Sequence, residues 1–515
     1  MSASPPPANA ASGAPPDAER LHVGPDVHLS CEALERAADT PATTVHLTDA
    51  GAEGVTRAHD ALRILRASDA RVYGITTGFG PLVRFASDAD VHARSHAAGL
   101  LAHLSTGTGD AMPPRAARAM LLARLQALAQ GHSAIAPNVF DAYARLLPDA
   151  LTPAVPVIGS LGASGDLTPL AHAARVLTGT GRVLREDGTT VLAADALQEA
   201  GREPVALGTR DALALVNGTS FMTAYAALAV ARAERLVHRA EHLTAWIYGV
   251  LGCSRQPLDA RLHAVRGHAG QQDSAAAVRD HLDRLGTSSN PDRPLQEVYS
   301  IRCAPQVLGA VRDQLAYVRR TVETELNGVN DNPVIDPEAP AALHGGNFQG
   351  QQIAFAADAL NAAVTQVGVL AERQVDVLLT PEHNGDAPPL LAWTPGATSG
   401  LAGAQLTATA LVAELRHHNQ SAATSSIPTN GGNQDVVSMG ARAARVAYGQ
   451  TEHLASILAV LGLALAQLTH LRRCDQAPGT APDPPGWMPD VEPIVEDRPL
   501  RSEIANLADA WLAAP

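Results

Sequence analysis

Lysine is absent from this 515-residue chain, so all 38 basic residues are arginine. Without lysine the chain cannot hold pyridoxal phosphate as an internal aldimine, cannot form a side-chain Schiff base and cannot complete a Walker A loop. Positive charge is short overall: 38 basic residues against 52 acidic ones leave a formal charge of −14. That balance works against any role that neutralises phosphate backbones or anionic bilayers, so neither a nucleic-acid nor a membrane partner is expected.

Cysteine is scarce. Cys31, Cys253, Cys303 and Cys474 lie far apart with no C-x-x-C spacing, which encodes neither a disulfide framework nor a zinc knuckle and fits a reducing cytoplasm. His92 and His96 share H-x-x-x-H spacing and His417 and His418 are adjacent, but neither pair has Cys, Asp or Glu in a ligand pattern, so no metal is expected. The glycine-threonine-glycine steps at 107–109 and 179–181 lack the third glycine of a dinucleotide fingerprint. Long apolar runs are few as well. The most apolar one, residues 454–466 (LASILAVLGLALA), is shorter than the roughly 20 residues a membrane span needs and reads as a buried helix.

What is present is alanine and leucine at helical spacing. Residues 221–252, 305–327, 350–378, 400–420 and 437–473 are long, apolar and poor in proline, which calls for a helical bundle. With aromatics at only 3%, that bundle must pack through Ala, Leu and Val and can bury further faces between subunits. The first half is more mixed. Residues 1–20 are rich in Pro, Ala and Ser and read as a disordered tail, with neither the basic start nor the apolar stretch of a signal peptide. Residues 21–215 form a small α/β domain, with a helix over 54–67, two helices within 89–134 and a hairpin around Asp187-Gly188; residues 216–515 form the bundle domain. The fold class is therefore mainly α, with a mixed N-terminal domain.

Two glycine-rich segments interrupt this pattern. VYGITTGFG (72–80) cannot hold a regular element and places Tyr73 at the entrance of a loop. GSLGASGDLTPLAH (159–172) is a glycine turn before a helix, in which a tight backbone could bring the Gly165 nitrogen onto the Ala163 carbonyl. Ring closure, with loss of water from the ring and from the Ser164 side chain, would yield 4-methylideneimidazol-5-one (MIO), an electron sink open to a lysine-free enzyme acting on amines. The bland alternative is an ordinary turn: the same tripeptide at Ala11-Ser12-Gly13 in the tail shows that three small residues specify nothing alone.

The context is more specific. YGITTGFG (73–80), GSLGASGDLTPLAH (159–172), ALVNGTS (214–220), LQEVYSIRCAPQ (295–306), GGNFQG (345–350) and PTNGGNQDVVSMG (428–440) together, and in this order, resemble the aromatic amino-acid ammonia-lyase and aminomutase family. The resemblance implies that Ala163, Ser164 and Gly165 form the MIO group with help from Asp166, and that no pyridoxal phosphate or metal is used. It implies that Tyr73 is the base at the substrate β-carbon; a phenol has a pKa of about 10, so its surroundings must favour the phenolate. Arg302 would bind the substrate carboxylate, with Asn217, Gln296 and Tyr299 completing the cradle and Phe348 packing beside the ring. The family also implies a homotetramer whose sites draw on three chains.

The resemblance divides over the substrate. Ser95-His96, in RSHAAG, is similar to the histidine-specific members, in which the histidine faces the substrate imidazole. Those members place a glutamate where this chain has Gln434, and Asn430, Asn433 and Gln434 match the phenylalanine and tyrosine enzymes and the mutases. A neutral amide cannot serve as an acid or base. The expectation is an ammonia-lyase that gives a trans-α,β-unsaturated acid, with tyrosine or phenylalanine ahead of histidine. A histidine ammonia-lyase, a 2,3-aminomutase and a non-catalytic helical assembly protein are the alternatives.

Overall fold

The computed structural model describes residues 19–68, 70–85, 89–475 and 484–513 of the chain. Residues 1–18 of the expected tail, including Ala11-Ser12-Gly13, lie outside the described residues, as do the side chains of His92 and Ser95. Arg20, the last residue of that tail, opens the first strand.

The N-terminal half alternates short strands and helices. β1 (Arg20–Val23) pairs in parallel with β2 (Thr44–Leu47) across α1 (Cys31–Asp39), and α2 (Asp49–Arg66) follows. Ser30 and Thr48 cap these two helices, their hydroxyls accepting from the Ala33 and Gly51 N–H groups. α3 (Ala89–Leu104) leads through β3 (Thr108–Ala111) to α4 (Pro114–Ala129), which opens on proline, where the missing N–H costs nothing. After α5 (Pro137–Ala144), β4 (Pro156–Ile158) pairs antiparallel with β3 and runs into the glycine-rich turn that ends at α6 (Leu167–Leu177). The hairpin expected around Asp187-Gly188 forms from β5 (Arg182–Leu184) and β6 (Thr190–Leu192). α7 (Ala193–Glu199) and α8 (Thr209–Val216) complete this half.

The second half is a bundle. α9 (Ser220–Leu251), α13 (Ala304–Leu326), α14 (Gln351–Leu379) and α17 (Gly440–Asp475) are its long members, reached through α10 (Ala260–Ala264), α11 (Ala269–Leu285) and α12 (Tyr299–Arg302). The strand pair β7 (Val334–Asp336) and β8 (Ala341–Leu343), then α15 (Pro381–Asn384), α16 (Ala402–His418) and the C-terminal α18 (Arg501–Leu512), fill the remaining positions. α14 and α17 pack along each other, α17 lies on α9, and α13 bridges α9, α11 and α14. Alanines lie at nearly every contact, for example Ala224, Ala226, Ala227 and Ala229 of α9, so the backbones approach closely.

Among the described residues, three segments could cross a membrane by length and composition alone: Thr209–Leu251, Gln351–Leu379 and Gly440–Cys474. Their most apolar windows are 100%, 67% and 89% buried within the protein itself, so most of this apolar surface is consumed by the bundle. The 454–466 run sits in the last of these helices, with Leu454, Leu458, Leu461 and Leu465 fully buried.

Candidate active site

The glycine-rich turn is pressed against the start of the bundle. Gly162 and Gly165 adopt left-handed φ values of +76° and +69°. A Cβ added to Gly165 would lie 2.3 Å from the Gly218 carbonyl oxygen, so only glycine fits. That same oxygen accepts the Asp166 N–H at 2.7 Å. Ser160 closes the turn from inside, donating to Asp166 Oδ1 at 2.7 Å and accepting the Gly162 N–H at 3.1 Å.

The Asp166 carboxyl is completely buried and faces the first turn of α9, where Oδ2 accepts the Met222 N–H at 3.0 Å. Burial drives its pKa up to about 7, against the stabilising hydrogen bonds from Met222, Ser160 and Phe221. A carboxyl poised near neutrality can both take and return a proton beside the Gly165 nitrogen. On the open side, the Asn217 amide donates to the Ser164 carbonyl at 3.2 Å and the Gln434 amide donates to Ser164 Oγ at 2.7 Å. Side chains from α8's end and from the 429–434 turn thus hold the central residue of the tripeptide at both of its oxygens.

A cavity of about 750 Å³ opens over this turn, lined by Ala163, Ser164, Gly165, Asn217 and Phe348, by Asn430, Asn433 and Gln434, and by Tyr73. The Asn430 backbone is left-handed at φ +55°, and Thr429 bridges to Gln434, which makes the 429–434 segment a tight loop that turns its amides inwards. Tyr73 stands at the mouth, its hydroxyl accepting the Gly80 N–H at 2.8 Å. Its backbone N–H donates to His344 Nε2 at 3.1 Å. Burial raises the phenol pKa, and the Gly80 N–H only partly opposes this. The surroundings expected to favour the phenolate therefore favour the neutral phenol within this chain, because desolvation outweighs one hydrogen bond.

Two sets of expected site residues lie elsewhere. His96 does not line the cavity; its ring packs on Phe79 with centroids 4.6 Å apart, and Phe79 forms the wall. Among the described residues, the histidine that lines the cavity is His103, with Leu104, at the end of α3. Its Nδ1 lies 2.9 Å from the Gly99 carbonyl. A carbonyl only accepts, so Nδ1 carries the hydrogen and the neutral ring keeps Nε2 as an acceptor. Gln296 and Arg302 line a separate cavity of about 660 Å³, and Tyr299, beneath the Arg302 guanidinium at 4.6 Å, is 71% exposed. Arg302 Nε is buried with no partner among the described residues.

Sequence reading missed His103, Leu104, Asn332 and Thr429 among the lining residues. For His103 a signal exists: it stands seven residues after His96 on the same helix, in its last turn.

With this geometry in place, the chain can be compared with known proteins. A family model described as aromatic amino acid lyase matches residues 29–483. The chain is 42% identical to a tyrosine ammonia-lyase of Cereibacter sphaeroides over 90% of this chain and 94% of that protein. It is 40% identical to an MIO-dependent tyrosine 2,3-aminomutase of Streptomyces globisporus, over 94% and 93% of the two chains. The crystal structure of a histidine ammonia-lyase from Trypanosoma cruzi superposes with a TM-score of 0.85 at 29% identity, covering 96% of this chain and 93% of that one.

Proposed function

We propose, for a chain that belongs to the aromatic amino acid lyase family, that the substrate is L-tyrosine and the reaction its non-oxidative deamination to trans-p-hydroxycinnamate. Membership makes the chain an enzyme, a carbon–nitrogen lyase. The observation that carries the choice of substrate is His103: it lines the cavity and its Nδ1 is committed to the Gly99 carbonyl, so Nε2 accepts the hydrogen bond of a phenol O–H. Phenylalanine offers that acceptor no donor, so tyrosine gains a hydrogen bond that phenylalanine cannot make. The two features that would favour histidine are missing, since His96 lies behind Phe79 and the amide of Gln434 holds Ser164 where a carboxylate would be needed.

Ala163, Ser164 and Gly165 fit the MIO group: the left-handed Gly165, the close Gly218 carbonyl and the buried, near-neutral Asp166 are what a cyclising turn requires. When formed, the group supplies an electrophilic carbon that accepts the substrate amine and makes it a leaving group. The chain's own residues do the rest. Tyr73 stands where it can take the β-proton, Asn217 and Gln434 fix the Ser164 position, and the Gly80 N–H holds the phenolate once it forms.

The substrate carboxylate needs a cation, and among the described residues the cavity lining contains no arginine. We assign that role to Arg302 of the partner subunit, in a homotetramer that brings the exposed Leu295–Arg302 segment onto the cavity of a neighbour. Leu295 at 84% exposure and Tyr299 at 71% are the surface such a contact would cover.

The test is kinetic. Purified protein incubated with L-tyrosine, L-phenylalanine or L-histidine should release the conjugated acid, read by ultraviolet absorbance, with kcat/KM for tyrosine at least tenfold above the others. His103→Phe should reverse the order of tyrosine and phenylalanine. A faster reaction with histidine overturns the assignment, and β-tyrosine in place of the chromophore would make the enzyme a mutase.

A further inference from the structure

Gly218 lies between two layers. On one side are Gly165 and Asp166, as described. On the other is Arg124, from the second half of α4, whose side chain is 1% exposed. Its Nε donates to the Ala214 carbonyl at 2.9 Å, Nη1 donates to Asn330 Oδ1 at 3.0 Å, and Nη2 lies 3.5 Å from Asp331 Oδ2. Asn330 is anchored in turn, its amide donating to Thr219 Oγ1 at 2.9 Å. A Cβ added to Gly218 would come within 2.1 Å of Arg124 Nη1 and 2.6 Å of Asn330 Oδ1. The Gly218 backbone thus rests directly on the guanidinium and the amide, with no slack in which to retreat. Neither Arg124 nor Asn330 lines the cavity, so neither touches a substrate.

We propose that Arg124 and Asn330 are positioning residues for maturation of the site: they back Gly218, and Gly218 presses the Ala163–Gly165 turn into the shape in which it closes. This rests on the MIO reading above. Closure forms the bond from the Gly165 nitrogen to the Ala163 carbonyl carbon. The former carbonyl oxygen leaves as water with the Gly165 and Ser164 amide hydrogens, and the Ser164 hydroxyl leaves as a second water with the Ser164 Cα hydrogen. No oxidant is consumed. A turn with freedom behind it would relax away from that approach, and interiors resist such movement only where rigid groups fill the space. A planar guanidinium held at three acceptors is such a group, whereas an ammonium on a flexible stem is not. If the cluster were merely an internal clip, turnover and maturation would both be indifferent to it, since Asp331 keeps a second partner in Arg210 at 2.7 Å.

The experiment follows full-length protein from cell-free synthesis by intact mass, which reads the fraction of chains two waters lighter than translated. Circular dichroism and thermal melting run in parallel. Arg124→Met should slow the mass change at least about tenfold with the helical signal retained, Asn330→Ala severalfold, and Arg124→Lys should recover part of the rate. Gly218→Ala should block maturation, and adding Arg124→Met to it should partly relieve the block. Activity per matured chain should equal that of the wild type in Arg124→Met, Arg124→Lys and Asn330→Ala. Maturation at the wild-type rate in Arg124→Met and Asn330→Ala overturns the proposal, as does loss of activity per matured chain. Asn330→Ala keeps the Arg124–Asp331 pair, so unfolding of both variants would also overturn it by making the cluster a requirement of the fold rather than of maturation. A wild-type chain that never loses two waters would refute the MIO reading itself, a result distinct from all of these.

Discussion

The two halves of the expected site differ in how the chain treats them. Around Ala163–Asp166 the hydrogen-bond partners come from within the same chain: Asp166 is met by Ser160 and Met222, Ser164 by Asn217 and Gln434, and the Gly165 carbonyl by Ser160, with the Gly218 backbone packed against Gly165. Around Gln296–Arg302 the chain leaves Tyr299 and Leu295 in solvent and Arg302 Nε without a partner among the described residues. The first half is held from within the chain, and the second is left largely exposed. Chemistry that a chain performs on itself needs the former, while substrate capture can be deferred to assembly.

The sharpest way to break this contrast is complementation. Ser164→Ala and Arg302→Ala should each reduce turnover to background when expressed alone. Co-expressed and randomly assembled, roughly a quarter of the sites would combine an intact Ser164 with an intact Arg302 of the partner subunit, and activity should return to about that fraction. No recovery would put both residues in one chain's site.

Next in size is the half held from within. Asp166 has a folded-state pKa of about 7 against an ordinary 3.8, so the folded chain holds a proton that the unfolded chain has already lost. The contribution of this group to stability is therefore undiminished below pH 4, falls between pH 4 and 7 and levels off above, a total of about 4 kcal/mol. Asp166→Asn should lack this decline: urea unfolding at pH 5 and pH 8 should differ less for the variant than for the wild type. Equal differences would mean that Asp166 is ionised in the folded chain.

Tyr73 offers a gentler test at the boundary between the halves. Its raised pKa means that kcat/KM should climb with pH from 7 towards 9, by up to about tenfold per unit, because only the phenolate can act as base. A flat profile would mean that assembly supplies charge that lowers the phenol's pKa. The smallest effect is expected for His96→Ala, under threefold in kcat/KM, with a loss of about 1 kcal/mol of stability from the ring contact with Phe79.

Much of this was legible in the sequence. The long bundle helices declared themselves because Ala and Leu recur at helical spacing without proline, and each of the five expected segments coincides with one of α9, α13, α14, α16 and α17 within a few residues. α11 and α18 escaped notice: AGQQDSAAAVRDHLDRL is polar over much of its surface, and only one face, with Val278 and Leu282, is buried. Within the site, the tripeptide and its amides were found by motif, and the structure gathers them round one cavity. His96 and His103 show where motif reading stops. They are seven residues apart, two turns and about 10.5 Å along one helix face, so the pattern is the same for both and only the position of the cavity at the helix end distinguishes them. The Arg124 cluster was invisible because Arg124 and Asn330 stand 206 residues apart and touch each other, and Gly218, only in the folded chain.

Asp166 has one further consequence. A carboxyl whose proton is balanced near neutrality acts, on the proposed reading, once in the life of each molecule, and the bond it helps to make does not reopen. That proton is then needed only while the ring closes, and a chain that has closed keeps its competence whatever the buffer that follows.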